Sequence, residues 1–141
     1  MKLKELLKQK IEKGAFNRGG EVSSKLKEIL RRLGIKPNII RKISIVTYEL
    51  EMNIIIHSRG GEIKAVIDEN SIYIIAEDKG PGIEDVEKAL QPGYSTAGPD
   101  VREMGFGAGM GLNNIKRFSS DLKIDTEIDK GTTLKAVINL E

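Results

Sequence analysis

The stretch NIIRKISIVTYELEMNIIIHS, residues 38–58, poses the choice on which the fold turns. Its many β-branched residues would suit a strand by propensity alone. Its length, the Pro37-Asn38 start and the spacing of Ile39, Ile43, Val46, Leu50 and Ile54 instead predict one long helix. On that helix Glu49, Asn53 and His57 fall at i, i+4 and i+8, so they stack along one face. A polar stripe on a helix otherwise apolar on most sides requires something polar against it.

Downstream, GEIKAVIDE and SIYIIAEDK alternate in hydropathy and predict an antiparallel hairpin through a short Asn70-Ser71 turn. The second strand ends in Glu77-Asp78 and runs into KGPG. IEDVEKAL reads as a short helix, a helix is expected over roughly residues 109–120, and LKIDTEID with GTTLKAVINL predicts a second hairpin around Lys130-Gly131. Upstream, EVSSKLKEILRRLG reads as an amphipathic helix with Val22, Leu26, Ile29, Leu30 and Leu33 on one face and Gly34 as its stop. Residues 1–13 fit two patterns, a helix on Leu3, Leu6, Leu7 and Ile11 or an edge strand through LKQKIEK. Hairpins grouped with helices beside them predict an α+β fold: a two-layer α/β sandwich with a mixed, mostly antiparallel sheet covered on one face by helices.

Between these elements lies MGFGAGMGLNN, residues 104–114, with glycines at 105, 107, 109 and 111. A G-x-G-x-x-G fingerprint fails, because the third glycine would fall on Met110 or Leu112, and no Gly-Lys-Ser/Thr tripeptide closes a P-loop. The polar run QPGYSTAGPDVRE before it reads as a long loop rather than a buried strand. Glycines before a helix suit an anion at the helix N-terminus, where free N–H groups and the dipole favour phosphate. Taken alone, the same stretch also reads as a flexible linker.

The 141 residues suffice for one domain with its own core, and 39% apolar with 31% charged residues is a globular composition. No apolar run reaches membrane-spanning length, and MKLKELLKQKIEK lacks the apolar region of a signal peptide, so a cytoplasmic location is expected. The absence of cysteine excludes disulfide and thiolate chemistry, and the single histidine argues against a histidine-based metal site. Residues 1–42 carry 13 Lys/Arg against 4 Asp/Glu, or +9, and the remainder 10 against 17, or −7. Such asymmetry raises nucleic-acid contact as one reading. The interleaving of those charges with apolar residues at helical spacing fits solvated helix faces and a partner surface better. The chain contains no internal repeat and no low-complexity segment.

Three features lie in order: Glu49-x-x-x-Asn53 on a helix, Asp78-x-Gly80-x-Gly82 at a strand end, and Gly107-x-Gly109-x-Gly111-Leu112 before a helix. This arrangement resembles the Bergerat-type ATP-binding fold of gyrase, histidine kinases and MutL-like proteins, with its N box and two glycine boxes. YELEMNIIIHSRGG, IIAEDKGPGI, PGYSTAG and GAGMGLNNIKRF are similar to the bacterial anti-sigma-factor serine/threonine kinases, over roughly residues 20–141.

The resemblance implies ATP/ADP and Mg2+ as cofactors. It makes Asn53 the ligand of the metal ion and Glu49 the general base. Asp78 would accept from the adenine amino group, with Gly80 and Gly82 turning beneath the base and Thr133 helping to bind it. Residues 91–111 would be the ATP lid, with Gly107, Gly109, Gly111 and Leu112 at the phosphates. His57 would stand at the helix end or phosphate side, and Arg102 would reach the γ-phosphate or solvent.

Implied partners are a STAS-domain antagonist protein, phosphorylated on serine or threonine, and a sigma factor or other regulator. Direct nucleic-acid or membrane binding is not implied, and a homodimer is left open. A nucleotide-dependent binding switch with little phosphoryl transfer is the alternative expectation.

Overall fold

The long helix forms as its spacing predicts. In the computed structural model, which describes residues 3–80 and 111–141, it runs over Pro37–His57 without interruption. We label the elements β1 (Lys4–Ile11), α1 (Glu21–Arg32), α2 (Pro37–His57), β2 (Gly61–Ile67), β3 (Ser71–Asp78), α3 (Gly111–Phe118), β4 (Asp121–Glu127) and β5 (Gly131–Asn139). The expected helix over IEDVEKAL and the lid up to residue 110 lie outside the described residues.

Burial is the reason that α2 overrides its strand propensity. Ile39, Ile40, Ile43, Val46, Leu50, Met52, Ile54 and Ile55 are all buried along it. Burying a large aliphatic side chain stabilises by about 1.5–3 kcal/mol, against a helix-propensity penalty of at most about 0.7 kcal/mol for a β-branched residue. Packing therefore wins at every such position. The helix lies between α1 and α3 and over the sheet, so apolar residues on most of its circumference find partners.

The segment with two possible readings at the N-terminus is a strand. β1 is an edge of a five-stranded sheet of order β1-β2-β3-β5-β4, with an irregularity between Glu5 and Leu7. Every pairing among the described strands is antiparallel, the pairing that the sequence predicts for most of the sheet. The period of two assigns the faces. Ile63, Ala65, Ile72, Ile74, Ala76, Leu134, Ala136 and Ile138 point to the helices and are buried, whereas Lys64, Tyr73, Ile75 and Lys135 lie on the open face.

Two local expectations shift. The β2–β3 turn is centred on Glu69-Asn70, because the Asp68 carboxylate accepts from the backbone N–H groups of Asn70 (2.8 Å) and Ser71 (2.9 Å). Leu33 is 45% exposed instead of joining the apolar face of α1. It sits at the helix end, where Gly34 at φ +76° turns the chain away and its N–H bonds to the Arg31 carbonyl. Gly34 is thus the stop that the sequence suggested.

The start of α1 has an unusual cap. Gly20 offers no side chain, and the Val22 N–H is met instead by the Glu51 carboxylate from α2, at 3.2 Å. Glu51 is only 2% exposed. Burial pushes its carboxyl above the ordinary range, opposed by the backbone N–H groups at the start of α1.

Candidate functional site

Asp78 closes β3 on the helix-facing side of the sheet, directly opposite Thr132 of β5 and Gly61 of β2. Its Oδ1 accepts a hydrogen bond from the Thr132 backbone N–H at 3.1 Å. Burial raises the Asp78 carboxyl above its ordinary value, with that N–H acting the other way. The Thr132 hydroxyl lies 2.9 Å from the Thr126 hydroxyl on β4.

Two glycines flank the aspartate. A Cβ on Gly61 would clash with the Glu77 carbonyl oxygen, and one on Gly131 would clash with the Asp78 carbonyl oxygen. Their lack of side chains lets three strands converge beside a single carboxylate. Gly80 continues this crowding, since a Cβ there would stand 3.1 Å from Ser58 Cα and 3.3 Å from Asp78 Oδ1. Two backbone bonds, Arg59 N–H to Lys79 O (2.6 Å) and Lys79 N–H to Gly60 O (3.0 Å), tie the end of α2 to the chain just beyond Asp78.

The other end of the site is built by α2 and α3. Glu49 is half-buried, and a Cβ on Gly111, the first residue of α3, would stand 3.0 Å from Glu49 Oε2. Burial raises the Glu49 carboxyl above the usual range. Ile115, one turn further along α3, is completely buried and fixes α3 against the core. Asn53 follows Glu49 by one turn and is half-buried, while His57 ends the helix. Burial lowers the His57 imidazole, so the neutral ring predominates near neutral pH. Leu112 packs against the hydrophobic core.

The structure thus sets Asp78 and Gly80 beside the end of α2 at Ser58, and Gly111 beside Glu49 two turns earlier, with Asn53 and His57 on the same helix. Gly82, Gly107, Gly109 and Arg102 lie outside the described residues. Thr133 requires a correction. It pairs with Glu77 and points to the open face, so Thr132 is the threonine beside Asp78. Its parity with the buried Leu134, Ala136 and Ile138 was the signal, because residues two apart share a face. Gly61 and Gly131 were also missed, and the strings RGG and KGT were their only trace.

Among the described residues no group of three or more His, Cys, Asp or Glu could hold a metal ion. No helix among them is long and apolar enough to cross a membrane. What remains is a carboxylate acceptor at one end, a helix N-terminus with a raised carboxyl at the other, and a line of polar α2 side chains between. An antiparallel sheet with helices on one face and a site of this kind is what the resemblance to the Bergerat-type fold implies.

Comparison with known proteins agrees. Residues 17–138 match the histidine kinase-like ATPase domain. The serine/threonine-protein kinase RsbT of Bacillus subtilis is 30% identical over 115 residues, covering 79% of this chain and 80% of RsbT. The anti-sigma F factor of Clostridium acetobutylicum is 34% identical over 67% of this chain and 66% of its own length. Among solved structures, a chain of the SiaB–SiaC complex from Pseudomonas aeruginosa superposes with a TM-score of 0.65 at 19% identity, covering 95% of this chain and 89% of that one. The mycobacterial sensor histidine kinase MprB gives 0.55 at 16% identity, covering 94% and 97%. At these identities both likenesses concern the fold. The chain belongs to the histidine kinase-like ATPase family, within the group of anti-sigma-factor serine/threonine kinases.

Proposed function

We propose that this protein is an ATP-dependent serine/threonine kinase that phosphorylates a STAS-domain antagonist protein in a bacterial partner switch, acting as one domain in the cytoplasm. The observation that carries the reading is the pairing of two ends on one helix-facing surface: Asp78 held at 3.1 Å by Thr132, and Glu49 against the first residue of α3.

Asp78, with Gly80 giving room beneath, would accept from the exocyclic amine of the base. Gly111 and Leu112 would present the N-terminus of α3 to the phosphates, where its backbone N–H groups favour negative charge. The absence of a Cβ at Gly111 keeps that approach open beside Glu49. His57, neutral and at the end of α2, would stand at the phosphate side without adding charge. Asn53 fits as the protein's oxygen ligand for Mg2+, since a hard cation held by phosphates and water needs few protein ligands. Bound there, the ion would neutralise phosphate charge.

In the transfer itself, the substrate hydroxyl gives its proton to the Glu49 carboxylate, and its oxygen bonds to the γ-phosphorus. The bond to the β-phosphate oxygen breaks, and ADP leaves. A carboxyl raised by burial is better matched to this task near neutral pH than an exposed one.

The test is incubation with γ-labelled ATP, Mg2+ and a STAS-domain protein from the same genome. The expected result is label on a serine or threonine of that protein, abolished by Asn53→Ala with the fold intact and by chelation of the metal. Complex formation that needs ATP but transfers no label would replace the kinase by a nucleotide-dependent binding switch. Label transfer undiminished in Asn53→Ala would remove the proposed metal role.

A further inference from the structure

Ser58 carries none of the roles assigned above, yet it stands where α2 ends and the chain turns toward the residues beyond Asp78. It is 3% exposed, and its extended backbone stops the helix. Its hydroxyl oxygen lies 2.7 Å from the Ile54 carbonyl, 3.3 Å from the Gly60 carbonyl and 3.0 Å from the Gly60 nitrogen. A hydroxyl has one proton, and O–H···O bonds are commonest at about 2.7–2.8 Å. The Ser58 proton therefore goes to Ile54, and the same oxygen accepts from the Gly60 N–H.

The bonds continue across to the strand end. The Gly60 carbonyl accepts from the Lys79 N–H at 3.0 Å, and the Arg59 N–H donates to the Lys79 carbonyl. Lys79 directly follows Asp78. A Cβ on Gly80 would stand 3.1 Å from Ser58 Cα and 3.2 Å from Ser58 Cβ, so the two segments are in close contact. The turn at residues 58–60 is thus held to Lys79 by backbone bonds. It is held to the helix by Ser58, whose N–H and hydroxyl share the Ile54 carbonyl.

We propose that Ser58 is a positioning residue that fixes the span between the base end at Asp78 and the phosphate side along α2, and so makes the two ends bind a whole nucleotide as a unit. The inference rests on the nucleotide reading above and extends it to how the two ends act together. When both are held at the spacing of one ligand, binding at the first presents the second at high effective concentration. Without the hydroxyl the Gly60 N–H loses its acceptor, and the spacing varies while each end keeps its own groups.

The experiment titrates the full chain, unaltered and as Ser58→Ala and Ser58→Cys, with ATP, with adenosine and with inorganic tripolyphosphate, each in Mg2+. Adenosine reads the base end alone, and tripolyphosphate reads the phosphate side alone. Thermal melting follows the fold in each case. Ser58→Ala should weaken ATP about tenfold, the usual scale for one oriented hydrogen bond, and leave adenosine and tripolyphosphate within about twofold. Ser58→Cys fills the same space with a weakly bonding thiol and should give the same pattern, which decides the matter if alanine does not fold. Equal weakening of ATP and adenosine would show a merely structural role and overturn the inference, as would unchanged ATP affinity. Failure of the unaltered protein to bind ATP would overturn the nucleotide reading itself and this inference with it.

Discussion

Two glycines with left-handed backbones separate conformational strain from steric conflict. Gly34 ends α1 at φ +76°, and a Cβ there would meet nothing within 4 Å. Gly131 opens β5 at φ +133°, and a Cβ there would clash with the Asp78 carbonyl oxygen and stand 3.1 Å from Asp78 C and 3.2 Å from Lys79 Cα. Gly34→Ala therefore carries only the left-handed penalty, about 1 kcal/mol.

Gly131→Ala carries a comparable or larger strain, and in addition it must move main chain rather than the tip of a flexible side chain. Its cost should reach roughly 3–5 kcal/mol, the upper range for single substitutions. At about 2–4 °C per kcal/mol for a chain of this size, Gly34→Ala should lower Tm by roughly 3 °C and Gly131→Ala by roughly 10 °C or more. Circular-dichroism melts measure the first difference. ATP titration measures the second, because separating β5 from β3 breaks the bond of Thr132 to Asp78, whereas Gly34 lies far along the chain from that bond. Equal Tm losses in the two variants, or unaltered ATP affinity in a folded Gly131→Ala, would refute the close approach as the reason for glycine at 131.

Other perturbations separate neighbouring residues. Thr132→Val should weaken ATP about tenfold, and Thr133→Val, on the open face, should leave binding unchanged; competitive titration of the two variants decides between them. The rate of transfer should fall on the acid side as Glu49 gains its proton, with an apparent pKa above the ordinary 4.5 because burial raises it. A pH–rate profile with its acid limb at or below 4.5 would count against Glu49 as the base. The raised carboxyl of Glu51 means that the folded chain holds that proton more tightly than the unfolded chain. Its contribution to stability is therefore best below the ordinary value of 4.5 and declines as pH rises through the raised folded value. Glu51→Gln should flatten this part of the stability profile while keeping an acceptor for Val22, and Glu51→Ala should cost about 1–2 kcal/mol at pH 7 through the lost cap, as read by urea denaturation.

The sequence carried the long helix, both hairpins and the polar stripe because each rests on a local period that packing then reinforces. Ile39, Ile43, Val46, Leu50 and Ile54 repeat at helical spacing, and all five are buried. β1 could not be decided locally, since its Leu6, Leu7 and Ile11 satisfy both periods and only pairing with β2 distinguishes them. Glu49, Asn53 and Asp78 were picked out as a set by the family resemblance that their order carries. Thr132 was not distinguished from its neighbour, although the period of two contained the answer. The close approaches at Gly61 and Gly131, and the Glu51 cap, arise from elements far apart in the chain, so no local pattern announces them.

Glu49 and Glu51 are two residues apart on α2, which on a helix places them about 200° apart around the axis. One carboxylate faces the start of α3 and the other holds the start of α1. Glu51 thus ties one side of the helix to α1, while Glu49 on the other side stands close against the first residue of α3. The helix cannot roll without drawing Glu51 away from Val22 and leaving the start of α1 without its acceptor.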